Sequence, residues 1–293
     1  MILAGSLWAT HGTISSFFPS AVPTLALGAI RLSVGALGLA IILLFINKGR
    51  ILKKGTYFPP IRLLGASVGL AVVQTSLYYG FRVSSVTMVT MIFIATPPLF
   101  SGLYSQFIKK EKQSLSWLVS SILIVIGCIL MAFSGDRVLD ENKILVGALL
   151  GLMAGFCWTF VGTILRNFEK YSDPISSSFV VTLLSSIILI PIASNQGYGW
   201  LFDKNVLVLS LILGIISSTL PFYLFTNGAR KIITSHAFLY GLSEPITASL
   251  LGMIVLKERL RALGVIGYIF VITALFLFAL WEFIKAKQVI TVP

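Results

Sequence analysis

The strongest constraint on this chain is a row of ten apolar stretches, joined by short connectors that carry most of the charge. They run Ile2–Phe18, Thr24–Ile46, Leu63–Phe81, Val86–Ile108, Leu115–Ser134, Ile144–Leu165, Ile175–Ser194, Val206–Thr226, Ile232–Leu256 and Ala262–Ile284. A helix rising 1.5 Å per residue needs about 20 apolar residues to cross the hydrocarbon of a bilayer. Barrel strands would alternate over about 10 residues instead. The pattern therefore predicts an all-α integral membrane protein with ten transmembrane helices.

Composition agrees and narrows the classes. Charged residues make up 11% of the chain and hydrophobic ones 57%, against about 25% charged in a soluble domain. The net charge of +12 does not imply nucleic acid, because the lysines and arginines lie between spans and not on one folded face. A lipid bilayer is the expected partner. Cys128 and Cys157 fall inside spans with no metal or disulfide spacing and read as small apolar fillers. The first span opens without a basic segment, so no cleaved signal peptide is expected.

Placing the N-terminus in the cytoplasm puts fourteen lysines and arginines inside and seven outside. The excess supports both termini cytoplasmic in a cell (plasma or inner) membrane, with the Lys257/Arg259/Arg261 cluster dissenting.

An internal repeat divides the chain. Pro98 is followed by Lys110-Glu111-Lys112, and Pro245 by Lys257-Glu258-Arg259, both at an offset of 147 residues. Gly80 and Arg82 match Gly228 and Arg230 at 148, and Trp8 and Trp158 sit at similar depth in the first and sixth spans. Five spans per half is an odd number, so the second copy inserts upside down. The expected units are two inverted five-helix repeats, 1–139 and 140–293, with a binding site at the midplane.

The motifs Leu7-Trp8, Arg31, Tyr78-Tyr79-Gly80-Phe81, Pro98 with Lys110-Glu111, Tyr223 with Gly228-Ala229-Arg230, and Glu244-Pro245 with Lys257-Glu258-Arg259-Leu260 resemble the EamA-type branch of the drug/metabolite transporter superfamily. The resemblance spans nearly the whole chain. It implies a ten-helix carrier with a central cavity lined by spans one, three, four, six, eight and nine. It also implies export of amino acids, their derivatives or other small metabolites.

Glu244-Pro245 is the most informative pair for function. A carboxylate inside an apolar span costs about 2.5–3.5 kcal/mol on insertion scales, and the proline removes a backbone donor beside it. His236, Tyr240 and Glu244 are four apart and share one helix face. That stripe either carries protons or a substrate ammonium, or serves as interhelical glue. Arg31 has three readings: a partner for a substrate carboxylate, a partner for Glu244, or a side chain that snorkels to the interface. Gln74 and Tyr78 share a face, and Asn227 and Tyr223 add neutral polar groups. Tyr79 reads as an interfacial anchor. Trp8, His11 and Trp158 are expected deeper, around an apolar pocket. Pro98 and Pro245 are expected to bend their helices as hinges. Gly35 and Gly38, and the Gly151/Gly155 pair, read as packing contacts. Glu111 and Glu258 read as surface groups paired with neighbouring cations.

The function read from these features is secondary transport of a small-molecule substrate by alternating access, with protons as a candidate coupling ion. The alternatives are a facilitative exchanger, a channel or a lipid scramblase without proton coupling. No nucleotide-binding G-x-x-x-x-G-K-[ST] run occurs, and no nucleophile–base pair or metal-ligand set is visible. A carrier without cofactor or enzymatic activity is thus expected, as monomer or homodimer.

Overall fold

The computed structural model of the chain describes residues 2–107, 110, 115–132, 141–168, 171–194, 199–229, 243–257 and 262–290. Every long element among them is a helix. In order they are α1 (Ile2–Trp8), α2 (Thr10–Ser16), α3 (Thr24–Ile46), α4 (Pro60–Val83), α5 (Val86–Phe107), α6 (Leu115–Ala132), α7 (Glu141–Phe168) and α8 (Pro174–Ser194). A 3-10 turn at Gly199–Phe202 leads into α9 (Lys204–Gly214), a π turn (Ile215–Thr219) and α10 (Leu220–Ala229). Then follow α11 (Ser243–Ile254) and α12 (Ala262–Ile290). Among the described residues, five helical stretches are long and apolar enough to cross a membrane: Thr24–Ile46, Pro60–Val83, Glu141–Phe168, Pro174–Ala193 and Lys204–Gly228.

Local chemistry explains where several helices start. Pro59-Pro60 opens α4 at a position whose N–H would have no helical partner anyway. The Asp173 carboxylate accepts from the Ser176 amide at 3.0 Å and from the Ser176 hydroxyl at 2.6 Å, which caps α8. Asp203 caps α9 through the Asn205 amide at 2.7 Å.

The bundle carries its polarity inside. Leu37, Ile41 and Phe45 on α3 are exposed, while Ser67, Thr182, Ser185 and Ser217 are buried. Several buried hydroxyls return to carbonyls one turn back, as in Ser67 to Leu63 at 2.8 Å and Ser210 to Val206 at 2.6 Å, and these cost little where no water reaches. Those of Ser76, Thr182 and Ser218 have no partner among the described residues.

Small residues let backbones touch. A β-carbon on Gly127 would lie 2.7 Å from the Gly267 carbonyl oxygen, so α6 and α12 meet main chain to main chain. Gly35 sits against the Ser218 side chain and Gly38 against Thr219, which seats α3 in the π turn. Gly151 and Gly155 press on the Val89 and Phe93 carbonyls of α5. Around these contacts α3 packs on α8, α4 on α7, and α5 on both α6 and α7.

Three departures from the expected spans bear on the site. The first span is divided at Ala9 into α1 and α2. The eighth opens into the π turn. Helix α5 runs without interruption through Pro98, and Pro245 lies in α11.

Candidate functional site: a polar core beside an aromatic box

The π turn is the local origin of the site. In a regular helix the residue 221 amide would donate to the carbonyl of residue 217. Pro221 has no N–H, and its ring would collide with that carbonyl. The backbone widens instead, and the Leu220 amide reaches back to Ile215. Ser217 is left with a main-chain oxygen that needs a donor in a setting without water.

Arg31 supplies that donor. Its Nη2 donates to the Ser217 carbonyl at 2.7 Å and its Nε at 3.2 Å, with the Ser217 Oγ accepting from Nε at 3.1 Å. Its Nη1 donates to Gln74 Oε1 at 3.0 Å. The guanidinium is buried and ties α3, α4 and the π turn together. Of the three readings of Arg31, the interfacial one is therefore corrected: acceptors within the bundle hold the side chain inward. Its charge bears on Tyr78 first, then on Glu244, and on His11.

Glu244 lies half-buried in the first turn of α11. Its neighbours fasten that turn to α1: the Ser243 hydroxyl donates to the Ile2 carbonyl at 2.7 Å, and the Thr247 hydroxyl to Ser6 Oγ at 3.1 Å. The carboxylate is left with the attraction of Arg31. His236 and Tyr240, the other members of the expected stripe, lie outside the described residues.

His11 and Tyr78 are also buried here, with ring centroids 6.4 Å apart. His11 Nδ1 donates to the Trp8 carbonyl at 2.6 Å, a carbonyl that is otherwise an acceptor in the helical ladder at the α1/α2 break. Since a carbonyl only accepts, the proton belongs on Nδ1. His11 Nε2 is buried without a hydrogen-bond partner, a polar atom open to a water or ligand, while the Tyr78 hydroxyl lies beside the Arg31 guanidinium.

Next to this polar core stands an aromatic box. Trp8 meets Trp158 edge-to-face, with centroids 6.0 Å apart and planes at 84°. Phe222 lies 5.6 Å from Trp8 and 6.4 Å from Trp158, and Phe225 lies 5.1 Å from Trp8. The structure thus brings together Trp8 with Trp158, and Arg31 with Gln74, among the residues expected from sequence. Asn227 is not drawn in: its Nδ2 donates to the Tyr223 carbonyl on its own helix at 3.0 Å. Tyr79 is exposed, facing away. Ser217, Pro221, Phe222 and Phe225 were not anticipated. A proline four residues after a serine, followed by two aromatics three apart, was the available signal.

With this geometry in view, comparison with known proteins decides the family. The EamA-like transporter family matches residues 1–133 and 145–280. The chain belongs to that family. It is 28% identical over 267 residues to "Uncharacterized transporter YwfM" of Bacillus subtilis, covering 91% of this chain and 88% of that protein. It is 26% identical over 278 residues to "Threonine/homoserine exporter RhtA" of Salmonella typhimurium, covering 94% and 88% respectively. A solved protein structure superposes with a TM-score of 0.73 over 95% of this chain and 94% of its own, at 14% identity, a likeness of fold. An all-helical multi-pass membrane transporter of the EamA-like family is what these observations establish.

Proposed function

We propose that this chain is a secondary carrier that exports amino acids or closely related small metabolites by alternating access, in a cell membrane and with both termini cytoplasmic. The observation that carries the reading is Glu244: an acid inside a transporter fold, fixed in position by its neighbours and free of any ion pair among the described residues. A substrate ammonium or a proton is the natural occupant of such a group. Arg31 is already committed to Ser217 and Gln74, so it serves as a fixed charge beside the path. The Tyr78 hydroxyl, beside that guanidinium, is placed to donate to a substrate carboxylate. The indoles of Trp8 and Trp158 take the apolar part of the solute.

The packing pattern supports two inverted repeats, 1–139 and 140–293, of five transmembrane helices each. Exchanging the halves maps α3 on α8 and α6 on α12 onto themselves. It maps the α4/α7 contact onto α9 and α10 against α1 and α2, and the α5/α7 contact onto α11 against α1 and α2. Trp8 and Trp158 are then equivalent residues meeting near the axis. In that scheme the two halves rock about the site, with Pro98 and Pro245 at the gating helices.

The name of the RhtA relative makes threonine and homoserine the first substrates to try. The test is uptake of each, radiolabelled, into proteoliposomes with and without an imposed pH gradient. Saturable accumulation driven by the gradient supports a proton-coupled carrier. Saturable equilibration alone would reduce Glu244 to a binding residue.

A further inference from the structure

A second site lies at the far end of α3 from the π turn. An open pocket of about 470 Å³ is lined by Tyr57, Pro59, Pro60, Ile61, Arg62 and Tyr171. Its size falls within the range of about 300–1,000 Å³ typical of small-molecule sites. Its walls are built, not incidental. Phe58 packs edge-to-face on the buried Phe168, centroids 5.5 Å apart, and pins the 50–59 connector to the end of α7. With Phe58 turned inward, Tyr57 turns outward and meets Tyr171 at 6.2 Å.

Arg62 puts a cation in the pocket wall, and the connector leading into it is basic. From Asn47 to Arg62 the chain carries Lys48, Arg50, Lys53, Lys54 and Arg62 and no acid. Arg62 is exposed and makes no hydrogen bond or ion pair among the described residues. Asp173, two residues after Tyr171 in the chain, caps the start of α8. From the pocket an apolar track leads along α4 through Ile61, 87% exposed, Leu64, 61% exposed, and Val68. These residues are three and four apart and therefore share one face. Gly65, one turn from Ile61, leaves the α4 surface low where Phe160 of α7 passes at 3.5 Å from a β-carbon built there.

We propose that this pocket binds an anionic phospholipid, its headgroup phosphate held by Arg62 with Lys53 and Lys54, its acyl chain lying along Ile61, Leu64 and Val68. Anion-binding groups and an apolar track on one continuous surface fit a lipid better than a free anion, which would use only the pocket. Five basic residues next to a span match the composition that draws anionic leaflets, and the two tyrosines suit the headgroup depth. The site is separate from the transport path and does not rest on the substrate assigned above.

The test uses the full chain purified in detergent, with dioleoyl phosphatidylglycerol or dioleoyl phosphatidylcholine added. The two share acyl chains and differ in headgroup charge. Native mass spectrometry should show phosphatidylglycerol retained at least about fivefold over phosphatidylcholine. Arg62→Gln, and separately Lys53→Gln, should each lower that retention about fivefold, the factor equivalent to about 1 kcal/mol per basic residue near a membrane surface. Arg62→Lys should keep most of it. Lys204→Gln, at the α9 end where Val206 packs with Phe18 and Val22, should change nothing. Ile61→Ser keeps the charges and should still lower retention. Equal retention of the two lipids, or indifference to Arg62→Gln, would overturn the proposal. So would an equal rise in Tm from inorganic phosphate and from phosphatidylglycerol, since that would identify a free-anion site.

Discussion

Arg31 donates at 2.7 Å to the main-chain carbonyl of Ser217, 186 residues away, and that carbonyl is free because Pro221 has no N–H to offer it. A defect in one helix and a buried cation on another thereby complete each other. The contact joins α3 to the π turn of the eighth span. It positions the charge that bears on Glu244.

Removing the guanidinium should therefore cost stability before it costs anything else. Hydrogen bonds to a charged group are worth about 1.5–3 kcal/mol each, so Arg31→Gln should destabilise by about 2 kcal/mol or more. Arg31→Lys, a point charge without the fork, should fall between. Pro221→Ala restores a backbone donor to Ser217. In that background Arg31→Gln should cost less, with a coupling energy of about 1–2 kcal/mol in a double-mutant cycle read from denaturation in detergent. Strict additivity would separate the two residues.

The main-chain contact between α6 and α12 makes a sharp contrast with an open glycine. Gly127→Val would drive a side chain into the Gly267 carbonyl and should destabilise by about 1–3 kcal/mol. Gly162 has nothing within 4 Å of a built β-carbon. Gly162→Ala should be neutral or gain up to about 1 kcal/mol from helix propensity. Thermal melts of the two variants side by side check both signs.

Trp158 stands in the aromatic box with Trp8, Phe222 and Phe225. If the box holds the apolar part of the solute, Trp158→Ala should raise the KM for transport about tenfold or more with a smaller effect on maximal rate. Trp8→Ala should add little to it, because the edge-to-face pair is already broken. Transport kinetics in proteoliposomes, normalised to inserted protein, give the split.

Orientation is open to direct labelling. Lys53→Cys lies in the 47–59 connector, assigned to the cytoplasm by the balance of basic residues. A membrane-impermeant thiol reagent should reach it only after the cells are permeabilised. Cys128 is buried and Cys157 half-buried, so the label is read in a Cys157→Ser background. Labelling of intact cells would reverse the assignment.

Much of this was readable in the sequence, for a physical reason. Hydrocarbon leaves a spanning segment only helix or a closed barrel, and continuous apolar runs of about 20 residues select helix, so the apolar run Thr24–Ile46 and helix α3 coincide residue for residue. The π turn left one mark in the sequence, Pro221 four residues after Ser217, and the break at Ala9 left none. The side chains that meet the carbonyls there, His11 at Trp8 and Arg31 at Ser217, are visible only in the fold. The depth of Arg31 allowed it to reach the interface. Only the three-dimensional meeting of α3 with Gln74 and Ser217 turns it inward. Trp8 and Trp158 could be matched by depth, but Phe222 and Phe225 join them only once the eighth span lies beside the first.

The central claim is that Glu244 is the working acid of the transport path, and one measurement addresses it directly. Wild-type protein and Glu244→Gln are reconstituted at equal density, and pH-gradient-driven uptake of radiolabelled threonine and homoserine is compared. Glutamine keeps the size and polarity of the side chain while removing its charge. The account predicts loss of driven accumulation by about tenfold or more in a variant whose Tm and elution profile match the wild type. Undiminished gradient-driven uptake by Glu244→Gln would contradict it.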